Sequence, residues 1–196
     1  MRASHLALAA LATLLAGTGA ASAAGQVRGN IVSISPQQIV VSSVTGDKTS
    51  FAITPATGYV AERSLALSAI QPGSYIGSAA VSDGPGKLRA LEVTVFPPSM
   101  KGVGEGHYAW DLTPHSTMTN GTVGDLKHAH GDVLTVTYYG GEQTILVPPG
   151  TPIVTVAPGS YVALQPGMRV VVFPDPHNPT AAGQIAYGEN GMTPPQ

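Results

Sequence analysis

The side chains best suited to chemistry are concentrated in one central stretch of the chain, residues 97–120. This stretch contains the only tryptophan of the protein, Trp110, together with Glu105, His107 and Asp111. Carboxylates and an imidazole can act as acids and bases, and ligand pockets commonly form where two domains meet. The stretch is too rich in aromatic and apolar residues for a flexible linker. We therefore expect an ordered strap, with Glu105, His107, Trp110 and Asp111 as candidate ligand-binding residues.

The pair His128 and His130 is a second candidate site, in this case for a metal ion. Their spacing places both imidazoles on one face of an extended segment, and exposed imidazoles bind Cu²⁺, Ni²⁺ or Zn²⁺. Two protein ligands alone bind a metal ion weakly, and a structural zinc site has four. His115, His107 or Asp132 would have to complete the set, and Cu²⁺ would then bind most tightly. The alternative is a pair of solvated turn histidines without a ligand, and no other cofactor is indicated.

The elements that must position these residues belong to two similar halves of the chain. Ile53-Thr54-Pro55-Ala56-Thr57 is followed 94 positions later by Val147-Pro148-Pro149-Gly150-Thr151, and Ile70-Gln71-Pro72-Gly73 is followed at the same interval by Leu164-Gln165-Pro166-Gly167. A constant interval without gaps indicates a duplicated structural unit of about 70 residues. The glycine that ends each Gln-Pro-Gly sequence is placed as in a type II turn, where a positive φ is required.

Short β-branched runs bounded by Gly, Pro or Asp predict strands in both repeats. They are expected near 27–34, 38–44, 48–54, 75–82 and 87–96 in the first repeat, and near 121–127, 132–139, 142–148, 168–174 and 181–187 in the second. The best helix candidate is Ala61–Ile70, which the following Gln-Pro-Gly would end. Five short strands with one longer crossing are typical of a small closed barrel of the OB type. We therefore predict an all-β protein of two tandem five-stranded barrels; a meander or a sandwich shared by the repeats is the alternative.

These patterns divide the chain into five parts. They are a signal peptide (1–23), a first barrel (24–97), the strap (98–119), a second barrel (120–187) and a C-terminal tail (188–196). The first part has a cationic Arg2, an apolar run over Leu6–Gly17 and a small-residue cleavage site, Ala21-Ser22-Ala23. We therefore expect a periplasmic or secreted protein with no membrane span in the mature chain.

Composition argues against several classes of function. The 9 basic and 11 acidic side chains form no basic cluster, so nucleic-acid binding is not expected. There is no cysteine to serve as a nucleophile. A Gly-x-Ser-x-Gly elbow, a phosphate-binding glycine loop and a His-Glu-x-x-His motif are also missing from the sequence. We therefore expect a protein that is not an enzyme.

Four motifs resemble those of a family of small exported proteobacterial proteins of unknown function. The motifs are Gly104-Glu105-Gly106-His107, Trp110-Asp111-Leu112, Ser116-Thr117-Met118-Thr119-Asn120 and Gly191-Met192-Thr193-Pro194-Pro195. The resemblance implies an OB-like barrel in each half, and it brings no catalytic residues with it. Some members are labelled "metal ABC transporter permease". A permease needs several membrane spans, which the mature chain lacks, so only the metal part of that label bears on this protein.

Taken together, the sequence predicts an exported, non-enzymatic binding or scaffolding protein of the cell envelope. Its partner would be an envelope protein or a small ligand. The first alternative is a periplasmic metal-binding protein that uses His residues. The second is a hydrolase in which Glu105, His107 and Asp111 form the acid–base cluster.

Overall fold

The structure, a computed structural model, describes residues 25–129 and 131–194, and it gives the backbone alone for residues 128, 129 and 131. The predicted signal peptide and the last two residues of the predicted tail lie outside the described residues. The described chain is all-β and forms two compact units, residues 25–63 with 157–194 and residues 64–156. None of its short helical turns has the length and apolarity needed to cross a bilayer.

Thirteen strands make up the described chain. In chain order they are β1 Val27–Ser35, β2 Gln38–Ser43, β3 Lys48–Ala52, β4 Gly58–Ser64, β5 Tyr75–Ser82, β6 Lys87–Val95, β7 Gly106–Ala109, β8 Thr117–Ala129, β9 Gly131–Tyr138, β10 Gly141–Val147, β11 Ile153–Pro158, β12 Arg169–Pro174 and β13 Ala182–Gly188. All ten predicted strands are among them. The other three, β4, β7 and β11, were not predicted.

In the unit of residues 64–156, five strands form a closed barrel. Strand β8 pairs antiparallel with β5 and β9, β9 pairs with β10, and β5 pairs with β6. The barrel closes where Thr144–Leu146 of β10 pairs in parallel with Lys87–Arg89 of β6. Farther along β6, β11 adds a second parallel pairing. The buried core includes Ile70, Ile76, Val93, Val123, Leu134, Val136, Ile145 and Val147.

The other unit contains a curled sheet in the order β3-β2-β1-β12-β13-β4. Its β1, β2, β3, β12 and β13 pair antiparallel, and β4 pairs in parallel with β13. The free edge of β3 meets the chain before β13 through one parallel bridge, Ala52 to Ala181. The Ala52 N–H also donates to the Thr180 carbonyl at 2.9 Å. The buried core includes Ile31, Ile39, Val41, Phe51, Leu164, Val170, Val172 and Ile185.

The predicted arrangement of one barrel per repeat is not confirmed. The closed barrel takes β5 and β6 from the first predicted repeat and β8, β9 and β10 from the second. At the start of this pairing, the Gly73 N–H donates to the Val123 carbonyl at 2.7 Å, and in the other unit the Gly167 N–H donates to the Ile31 carbonyl at 2.8 Å. Two copies of one segment offer the same pairing edge within and between repeats, as in domain swapping. The sequence pattern therefore does not decide whether these strands pair within one repeat or between the two repeats.

The predicted helix over Ala61–Ile70 is wrong. Strand β4 occupies its first part, and a three-residue 3₁₀ turn, Leu67–Ala69, lies near its end. The strand forms because β13 supplies a parallel hydrogen-bonding partner from Gly58 to Glu62. The turn is followed by Ile70, which is buried in the barrel core. An extended partner thus overrides the local helical pattern.

Candidate functional site

The predicted strap is an ordered part of the closed-barrel unit. It begins with a 3₁₀ turn at Pro98–Met100 and continues into β7, which pairs antiparallel with the start of β8. The Tyr75 hydroxyl donates to the Val103 carbonyl at 2.9 Å and fastens the strap to β5. Burial, with the nearby Glu105 charge, raises the pKa of Tyr75 above its usual value. The phenol therefore remains a hydrogen-bond donor.

The structure brings Glu105 and His107 to the same end of β9, where each binds a different partner. A Glu105 carboxylate oxygen accepts the Tyr139 backbone N–H at 3.1 Å. The Nδ1 atom of His107 lies 2.9 Å from the Thr119 hydroxyl, and the imidazole stacks on Tyr138 with ring centroids 6.3 Å apart. Burial lowers the pKa of His107, so the imidazole is neutral at pH 7. These contacts give both side chains a role in holding β7 in place.

Trp110 and Asp111 lie in the bend that follows β7. The half-buried Trp110 ring packs edge-on against Tyr108, with centroids 6.2 Å apart. Its backbone N–H donates to the Ser116 carbonyl at 2.8 Å, and the Ser116 hydroxyl donates to the Trp110 carbonyl at 3.0 Å. Asp111 is exposed. Trp110 therefore stabilises the bend and is less buried than a core residue.

The candidate metal ligands are only partly covered by the structure. His130 lies outside the described residues, and for His128 the description is limited to the backbone, which pairs with Asp132 at the end of β8. His115 is exposed in the bend after β7, with a φ of 62°. Within the described ranges, no group of three or more His, Cys, Asp or Glu side chains is placed to hold a metal ion. Binding by His128 and His130 stays a prediction.

A groove of about 500 Å³ lies in the unit of residues 25–63 and 157–194, and the sequence did not point to it. Tyr59 and Tyr161 line it with half-buried rings in an edge-to-face arrangement, 6.4 Å between centroids and 74° between planes. The other lining residues are Pro36, Gln37, Ile53, Thr54, Pro55 and Thr57. No charged side chain is among them. We call this feature the tyrosine groove.

Gly159 allows the two tyrosines to meet. Its N–H donates to the Tyr59 carbonyl at 2.9 Å, and the Ser160 N–H donates to the Tyr187 hydroxyl at 3.0 Å. A Cβ atom at Gly159 would lie 2.8 Å from the Tyr187 ring and 3.0 Å from the backbone of Tyr59. Only glycine permits so close a backbone approach, and this approach places Tyr161 beside Tyr59.

Hydrogen bonds also fix the turn on which the groove rests. The Thr57 hydroxyl accepts the Thr54 N–H at 2.9 Å and donates to the Ala182 carbonyl at 2.8 Å. The Ile53 N–H donates to the Gln37 carbonyl at 2.8 Å, which joins this turn to the one between β1 and β2. Contacts within the protein therefore form the groove without the help of a ligand.

Three polar groups of the groove remain available to a ligand. The hydroxyls of Tyr59 and Tyr161 and the side-chain amide of Gln37 have no hydrogen-bond partner within the described part of the chain. Burial and the neighbouring Tyr161 raise the pKa of Tyr59, so its phenol is neutral. The groove thus offers aromatic surface together with neutral hydrogen-bond donors.

A comparison of the two predicted repeats could have singled out Tyr59 and Tyr161, although not their proximity. At the 94-position interval, Tyr59 corresponds to Ile153 and Tyr161 corresponds to Leu67. Ile153 is only 5% exposed, and Leu67 packs against the same core cluster. One unit therefore has an aliphatic pair where the other has two partly exposed tyrosines.

Comparison with known protein families, with curated proteins and with solved structures finds no match to this chain.

Proposed function

We propose that the protein is an exported, non-enzymatic binding protein of the cell envelope and that it binds its ligand in the tyrosine groove. The observation that carries this proposal is the pair Tyr59 and Tyr161, which presents two half-buried rings and two free hydroxyls. Ligand pockets of about 300–1,000 Å³ are commonly lined by apolar and aromatic side chains with a few polar groups. The groove, at about 500 Å³, has this size and composition.

The chemistry of the lining favours binding over catalysis. It contains no carboxylate, imidazole, amine or thiol that could transfer a proton or attack a substrate near neutral pH. Of the residues in the hydrolase alternative, Glu105 accepts a hydrogen bond from the Tyr139 backbone N–H, and His107 is hydrogen-bonded to the Thr119 hydroxyl. Export is inferred from the signal-peptide pattern of the first 23 residues.

A panel of uncharged probes followed by ¹H–¹⁵N NMR tests the proposal. The panel contains neutral oligosaccharides, polyproline peptides and small aromatic fragments. We expect at least one probe to shift the amide signals of Thr57, Tyr59 and Tyr161 in a saturable manner. The same probe should leave the amide signals of Thr57 and of positions 59 and 161 unmoved in a Tyr59→Ile/Tyr161→Leu variant. A panel in which no probe shifts them, or shifts that persist in the variant, would overturn the proposal.

A further inference from the structure

We infer that the ligand of the tyrosine groove is an uncharged, proline-rich segment of a partner protein, bound in the polyproline II conformation. This inference rests on the proposed function, since it names the class of ligand for the same site. It follows from three properties of the groove: its hydrogen-bonding groups, its apolar surface and its lack of charge.

The free polar groups of the groove match what a proline-rich segment offers. Proline has a backbone carbonyl but no N–H, so such a segment presents acceptors almost exclusively. The groove supplies donors to these carbonyls from the Tyr59 hydroxyl, the Tyr161 hydroxyl and the Gln37 amide.

The apolar surface also matches. Proline-rich segments dock on aromatic-lined grooves, because the polyproline II helix is already ordered and its rings pack on aromatic faces. Pro36 and Pro55 line this groove together with the two tyrosine rings. A glycan presents many hydroxyl groups, each of which needs a partner when it is buried. As free partners the lining offers it only the two tyrosine hydroxyls and the Gln37 amide, so the groove favours the peptide.

The absence of charged lining residues favours an uncharged partner segment. A charged side chain that entered the groove would lose water without gaining an opposite charge, which is unfavourable. The groove is also held open by hydrogen bonds from the Gly159 N–H and the Thr57 hydroxyl. A pre-formed site and a pre-ordered ligand both reduce the entropy lost on binding.

The other unit supplies a matched control for the two tyrosines. Its Leu65 N–H donates to the Ile153 carbonyl at 2.8 Å, as the Gly159 N–H donates to the Tyr59 carbonyl at 2.9 Å. The same backbone contact is therefore compatible with an aliphatic pair. The Tyr59→Ile/Tyr161→Leu variant copies that pair, so we expect it to fold while losing the rings and both hydroxyls.

Fluorescence anisotropy of fluorescein-labelled decaproline tests the inference. We expect saturable binding to the purified protein and none of a labelled (Gly-Ser)₅ peptide, which is uncharged but flexible. The double variant should bind decaproline at least about tenfold more weakly, as removal of aromatic anchors commonly does. Tyr139→Ala, which removes a 93% exposed tyrosine at the β9–β10 turn, should leave the affinity unchanged.

The outcomes separate this inference from the proposed function. If decaproline does not bind, or binds the double variant equally well, the proline-rich ligand is ruled out. If cellohexaose binds instead and its binding is lost in the double variant, the groove is a binding site for a glycan, so the proline-rich ligand class is wrong while the proposed function stands. Circular dichroism and urea unfolding of the double variant establish that lost binding does not come from lost folding.

Discussion

His107 and Thr119 face each other across β7 and β8, with the imidazole Nδ1 atom 2.9 Å from the threonine hydroxyl. Tyr138 covers one face of the imidazole, its ring inclined by 25°. This enclosure favours the neutral form of His107 because a protonated ring would lose part of its hydration. The pairing of β7 with the barrel is therefore coupled to the protonation state of one histidine.

We expect the stability of the protein to fall as the pH drops below about 6.5, the ordinary pKa of histidine. Because burial lowers the pKa of His107 in the folded state, the unfolded chain binds a proton more readily. Stability is therefore full above the unfolded pKa and is lost as the pH falls toward the folded pKa. Urea unfolding of the wild type and of His107→Gln between pH 7.5 and 5 measures this effect.

The variant His177→Gln is the matched control, since it removes an exposed histidine from the loop between β12 and β13. It should leave the pH dependence of the unfolding free energy unchanged, whereas His107→Gln should flatten it. Equal slopes for the wild type and His107→Gln would contradict the structural role assigned to His107.

Two glycine-to-alanine substitutions should differ in cost for a geometric reason. At Gly167 the φ is +89° and the space around a Cβ atom is empty, so Gly167→Ala should cost only the backbone strain, about 1–2 kcal/mol. At Gly121 a Cβ atom would overlap the Thr137 carbonyl oxygen and lie 2.9 Å from Val136. Gly121→Ala must separate β8 from β9, so we expect a cost above about 3 kcal/mol.

Denaturant unfolding of both variants gives the two free energies. The corresponding glycine in the other half, Gly73, has a φ of +87° and the same open surroundings, so Gly73→Ala serves as the control for Gly167→Ala. A Gly121→Ala variant as stable as Gly167→Ala would show that β8 and β9 are less closely paired than described.

The hydrogen bond from Tyr75 to the Val103 carbonyl should contribute measurably to stability. Tyr75→Phe removes only the hydroxyl and should lower the unfolding free energy by about 0.5–1.5 kcal/mol. Tyr139→Phe removes a hydroxyl from a side chain that is 93% exposed and should have no effect. Equal stability of the two variants would mean that this bond does not fasten the strap.

Trp110 should behave as a half-buried residue. Its fluorescence is expected to be partly accessible to acrylamide, because only part of the ring is covered. Trp110→Ala should cost less than the about 3–5 kcal/mol typical of a fully buried aromatic side chain. A larger loss in urea unfolding, or complete shielding from acrylamide, would show that the strap is packed more tightly than the structure indicates.

The sequence was most informative about features that depend on residues close together in the chain. Period-two alternation and turn glycines located all ten strands that were predicted, and Gly73 and Gly167 have the positive φ that their turns required. Strand β4 was missed because its pairing with β13 depends on residues more than a hundred positions away. The combination of strands from both repeats in each unit was missed for the same reason. Strand pairing is decided by distant contacts, which local patterns do not encode.

The candidate site shows the same limit. His107 and Glu105 stood out as chemically capable residues, but their partners, Thr119 and the Tyr139 backbone, were not evident from spacing alone. The tyrosine groove was missed because Tyr59 and Tyr161 are 102 positions apart. Neither tyrosine alone indicates a site, and only the fold places the two rings together.

The central claim, that the tyrosine groove is the binding site, is tested most directly by ¹⁹F NMR of protein labelled with 3-fluorotyrosine. The chain has 7 tyrosines, and the signals of Tyr59 and Tyr161 are assigned from single Tyr→Phe variants. With decaproline as the probe, we predict that these two signals shift together and saturate, while the signal of Tyr139 remains unchanged. Shifts confined to Tyr139 or other tyrosines, with Tyr59 and Tyr161 unmoved by decaproline and by cellohexaose, would contradict the account.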